Sequence, residues 1–145
     1  MWCKVGIALL GFIMRFKLLS AATAMVLSLG SAALAADLAV EKIATQITAR
    51  SASRNVQNIA DVHQRMQSAI NCLVGPKGEG FSSAAPNPCA PSGNGLIPDT
   101  PEADKKEKYA TVVAKLKVGL ATNDRGAAMQ LALEAADMIV AISDE

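Results

Sequence analysis

The chain has 145 residues, 51% hydrophobic and only 3% aromatic, and its fourteen basic and thirteen acidic residues nearly cancel to a formal charge of +1. That balance argues against a nucleic-acid binder, which needs clustered cations for phosphates and rings on which single-stranded bases can stack.

Residues 1–35 read as a targeting segment whose functional start is Met14. Arg15 and Lys17 supply the positive end, residues 18–29 the apolar run, and Ala33-Leu34-Ala35 the small residues of a cleavage site. The run is too short and too rich in alanine and serine for a membrane span of roughly 20 apolar residues. Residues 1–13 are also apolar, so an uncleaved anchor beginning at Trp2 is the alternative. Cleavage after Ala35 removes Lys4, Arg15 and Lys17, three of the fourteen basic residues. Eleven then face thirteen acidic ones, a formal charge of −2, and Phe81 and Tyr109 are the remaining aromatics. The expectation is a periplasmic or secreted protein with no stable span after cleavage, its residues 36–145 forming one helical domain.

No glycine or proline occurs from Asp37 to Val74, which predicts helix over about 37–74. Ala52, Val56, Ile59, His63, Met66, Ile70 and Leu73 recur at alternating steps of four and three, an apolar stripe on one face. Val40, Ile43 and Ile47 form a second short stripe out of step with the first. The phase breaks near residues 50–53, so either one helix shifts its buried face or two helices meet at a bend. Gly75 then Pro76 ends the helix.

Residues 75–100 read as an ordered loop rich in proline, glycine, serine and asparagine, with Phe81, Leu96 and Ile97 as apolar anchors. Cys72 and Cys89 bracket most of it. In an exported chain an isolated cysteine pair is expected to form a disulfide; a metal or redox pair is the alternative, and the spacing fits neither CxxC nor a zinc knuckle. The run Gly75-Pro76-Lys77-Gly78-Glu79-Gly80 lacks the phosphate-loop spacing and follows a helix, so it reads as helix termination.

A further helix is expected over about 101–121, opened by Asp99-Thr100-Pro101-Glu102, with Tyr109, Val112, Val113, Leu116 and Leu120 inward. Lys105, Lys106, Lys108, Lys115 and Lys117 make it basic, a solvated face or else a docking patch for an acidic partner. After a turn at Thr122-Asn123-Asp124, the last helix spans about 125–142, with Met129, Leu133, Ala136, Ile139 and Val140 inward. No segment alternates with period two. The fold expected is all-α, an antiparallel bundle of three helices, or four if the first bends, with one long disulfide-pinned loop.

His63, the single histidine, shares a face with Met66. An imidazole and a thioether there suit a transition metal or haem iron; the plainer reading is a histidine at the core edge hydrogen-bonded to a neighbour. CxxCH, GxSxG and HExxH are all absent, so covalent haem and the familiar hydrolytic centres are not expected. The mature start Ala36-Asp37-Leu38, with the helical pair 109–116 and 128–136, resembles small periplasmic helical proteins of the small-metal-binding and cytochrome b562-like kinds. The resemblance implies an exported bundle with a metal or haem site. The chain departs from it in having one histidine, and none in the last helix. The function expected is a non-enzymatic binding or interaction module without a cofactor, using the pinned loop and the end of the first helix to hold a protein or small-ligand partner. A metal- or haem-binding protein using His63 is the alternative.

Overall fold

The computed structural model describes residues 37–145; the expected targeting segment lies outside the described residues. The described elements are all helical: α1 (Leu38–Ser51), α2 (Ile59–Val74), the single turn α3 (Leu96–Asp99), α4 (Ala103–Ala121) and α5 (Arg125–Asp144).

The expected first helix is thus two helices. Between them, residues 52–58 wind through tight i to i+3 turns and then Asn55 in a left-handed conformation (φ 51°). Asn58 starts α2 afresh, its side chain accepting from the Asp61 N–H at 2.9 Å and donating to the Asp61 carboxylate at 2.8 Å. The joint's free carbonyls are met by arginines from elsewhere. Arg65 donates to Ser51 O (2.8 Å) and Arg54 O (3.0 Å), while Arg125, at the start of α5, donates to Gln57 O (2.9 Å) and Val56 O (3.3 Å). A helix break leaves backbone groups without intrahelical partners, and long planar guanidiniums satisfy them two at a time.

The face that α1 buries differs from the expected one. Val40, Ile43 and Ile47 are 46–63% exposed, while Glu41, Thr45 and Ala49 are buried. This inner row continues through Ala52 with helical spacing, so the apparent phase break disappears. The reason is closeness. Ala49 and Ala52 are small, Thr45 returns its hydroxyl to the Glu41 carbonyl (2.7 Å), and Glu41 has a partner across the interface. Alanines at 49 and 52 and the self-bonded threonine at 45 let α1 approach α2 and α5 more closely than isoleucines would.

In α5 the inner face is likewise alanine-based. Ala128, Ala132, Ala135, Ala136, Ile139 and Ile142 are buried, whereas Met129, Leu133 and Val140 are only partly covered. Among the described residues α5 alone is long and apolar enough to cross a membrane, but its inner face is packed against α1, α2 and α4. The α4 face matches expectation through Tyr109, Val112, Val113 and Leu116. The buried Tyr109 hydroxyl lies 3.3 Å from Ser143 Oγ; since Ser143 donates to the Ile139 carbonyl, the phenol donates to it.

The expected opening of α4 is also revised. The helix begins at Ala103 after Glu102, which makes no side-chain cap. Asp99 closes α3 instead, turning its carboxylate back to Asn94. The cap expected at Asp124 is present, accepting from Ala127 N at 3.1 Å.

Candidate functional site

The long connection between α2 and α3 leaves and returns at nearly one point. Gly75 (φ 68°) and Gly95 (φ 122°) face each other across this neck, and a methyl group on either would collide with the other strand's backbone. Ends that meet close the segment into a compact surface loop. Its middle is tied to α2 by the Cys72–Cys89 disulfide, with Cα atoms 5.2 Å apart. Closing a loop of that length is worth about 3 kcal/mol in the chain-entropy account.

Asn71, one residue before the cystine and fully buried, organises the rest. Its amide donates to Ser82 O (2.8 Å) and Ala85 O (3.0 Å), and its carbonyl accepts from Ser82 N (2.9 Å) and Gln67 Nε2 (3.1 Å). Every polar valence of this side chain is used inside the protein, which is how a buried amide avoids a desolvation penalty. Leu96 is fully buried at the neck, and Phe81 and Ile97 are half-buried against the core.

Beneath the neck, α1 makes its polar contact. Glu41 Oε1 accepts the Gly95 N–H at 3.1 Å, and Oε2 makes no hydrogen bond. A methyl group on Gly93 would crowd both this carboxylate and that of Asp99, so the two acids share one small space. Burial, and then the Asp99 charge, push the Glu41 pKa up to about 7 against the pull of the Gly95 N–H. Asp99 accepts from Asn94 N (2.6 Å) and Asn94 Nδ2 (3.1 Å).

On the outer side the loop and α4 enclose a cleft of about 880 Å³. Val74, Ile97, Pro98, Ala110, Val113 and Ala114 contribute its apolar surface. Lys77, Lys106 and Lys117, with Glu79, Asn94 and Asp99, supply the polar groups. Its volume falls in the range of small-molecule sites, about 300–1,000 Å³.

The other site residues are placed apart from this cleft. The His63 imidazole lies 3.0 Å from the carbonyl of Thr122, just beyond the end of α4. It therefore reaches the helical partner, as a hydrogen-bonded core-edge residue does. His63 borders a separate recess with Asp61, Gln64 and Gln67, whereas the Met66 side chain is fully buried, its methyl end against Gly119. The two are not brought to one cavity, and among the described residues no three of His, Cys, Asp or Glu gather as a metal site.

Asn71 and Glu41 carry no motif in the sequence, and Asp99, expected to open α4, instead turns to Asn94. A lone asparagine inside the apolar run before Cys72 was the available signal for the first; the other two depend on contacts 54 and 5 residues away along the chain. Lys106 and Lys117, from the basic face of α4, border the cleft. Compared with family models, curated proteins and solved structures, the chain matches none.

Proposed function

We propose that this protein is an exported, non-enzymatic helical binding module, periplasmic or secreted, and that its working surface is the cleft between the pinned loop and α4. The observation that carries the reading is the construction of that cleft. One wall is a proline- and glycine-rich loop held by a cystine, an asparagine hub and a glycine neck; the other is a regular helix. Recognition groups on a loop fixed to a rigid scaffold are held in place at small entropic cost on binding. The disulfide fits an oxidising compartment.

The test uses Nile red, a neutral apolar dye, titrated into the oxidised protein and followed by fluorescence. A saturable enhancement at one dye per chain is expected. Ala110 and Ala114 are exposed on the cleft side of α4, so Ala114→Trp should fill the cleft and abolish the enhancement while the helical circular dichroism is kept. No enhancement in the parent protein, or undiminished enhancement in Ala114→Trp, overturns the proposal.

A further inference from the structure

The lining of the cleft is selective. It contains no aromatic side chain, so a nucleobase gains no stacking there, and an aromatic ligand, Nile red included, is held only through its apolar area. Its apolar surface is aliphatic, from Val74, Ile97, Pro98, Ala110, Val113 and Ala114. On α4 it extends from Lys106 to Lys117, eleven residues and so roughly 16 Å at 1.5 Å per residue. A floor that is long, aliphatic and poor in hydrogen-bonding groups suits an extended alkyl chain better than a sugar.

The charges are unequal. Three lysines face two carboxylates. Asp99 is already committed to the backbone and side-chain amides of Asn94. Glu79 is almost fully exposed, and its only ion-pair contact is a loose 3.9 Å to Lys117. Lys106 has a marginal 3.5 Å contact with the Pro98 carbonyl, and Lys77 makes no ion pair with a described residue. The ammonium groups are left with unspent donors beside an apolar trough.

We infer that the cleft binds a free single-chain amphiphile: an aliphatic chain of about ten to twelve carbons lies along α4, and its anionic carboxylate head is held at one end of the trough, where Lys106 or Lys117 meets it. This deepens the cleft reading and rests on it. A cation over an anionic head makes a charge-assisted contact, stronger than a neutral one, and the aliphatic trough removes the chain from water.

The experiment is displacement of Nile red from the oxidised protein by decanoate and by decan-1-ol, below the concentrations at which either aggregates. Decanoate should displace the dye at a concentration at least tenfold lower. The triple variant Lys77→Gln, Lys106→Gln, Lys117→Gln should lose that advantage for decanoate and leave decan-1-ol unchanged; Lys77 and Lys117 are exposed, and the partly buried Lys106 makes only a 3.5 Å contact to the Pro98 carbonyl, so the fold should persist by circular dichroism. Decan-1-ol displacing as well as decanoate, or decanoate unaffected in the triple variant, overturns the inference while Nile red binding leaves the cleft reading standing. A third arm is co-sedimentation with phosphatidylglycerol vesicles. Firm vesicle binding without displacement by decanoate shows a membrane surface to be the target and also overturns it; an acidic peptide displacing the dye where decanoate does not has the same force.

Discussion

Two of the connections between the described helices, the joint at 52–58 and the loop from Gly75 to Gly95, are held by opposite means. The joint at 52–58 is short, and its carbonyls are met at a distance by two arginines borrowed from α2 and α5. The loop from Gly75 to Gly95 is long, and it is held close in sequence by a cystine, by Asn71 beside that cystine, and by its own neck. The difference follows from entropy. A short joint has few residues to order, so a handful of charge-assisted bonds suffice; a long excursion loses far more chain freedom, which a covalent tie limits by constraining the unfolded chain.

The largest expected effect is on the covalent side. Replacing both Cys72 and Cys89 by serine should lower stability by about 3 kcal/mol in urea titrations. Limited proteolysis should then cut within residues 76–94 and spare 52–58. Equal cutting at the joint would show that the two connections share one fate and that the comparison is mistaken.

A second difference is sensitivity to pH. Glu41 holds the neck with a folded pKa of about 7 against an ordinary 4.5. Its protonated form is favoured by folding, so the stabilisation is complete below pH 4.5 and is lost as pH rises through 7. The contribution is on the order of 3 kcal/mol at most. Urea midpoints should fall from pH 5 to pH 8, and Glu41→Gln should flatten that slope. The joint at 52–58 contains no carboxylate and no histidine, so Arg125→Met should shift both midpoints equally. A slope unchanged in Glu41→Gln would remove Glu41 as its source.

Asn71→Ala should cost about 2 kcal/mol, since it strands Ser82 N and the Ser82 and Ala85 carbonyls in a buried setting. Amide exchange should quicken in the loop and stay constant in α1. Arg125→Met should cost about 1 kcal/mol, because its two carbonyls are nearer to water. If the order of these two costs is reversed, the joint and not the loop is the more delicate connection.

Much of the chain's punctuation was legible in the sequence. Gly75-Pro76 ends α2, Asp124 caps α5, and Tyr109, Val112, Val113 and Leu116 face inward on α4. The cysteine pair forms the expected bridge. On α1 and α5 hydrophobicity is not a measure of burial. On α1 the isoleucines at 43 and 47 face outward and Glu41 faces inward, because the interface selects small side chains and one specific acceptor over apolar bulk. On α5 the alanines at 128, 132 and 135 displaced the larger Met129 and Leu133 for the same reason.

The sequence by itself determined the all-helical character, the end of α2 at Gly75-Pro76, the cap of α5 at Asp124, and the covalent closure of the loop. Each of these depends on backbone chemistry within a few residues or on a pair of thiols, and so is written locally. Only the tertiary structure decided that the first helix breaks, that Glu41 and Asp99 share a buried space, and that Lys106 and Lys117 border an apolar cleft. Those outcomes depend on partners up to about 70 residues away. Whether an arginine caps a joint or waves in water, and whether a lysine faces solvent or a trough, is set by what the folded chain brings beside it.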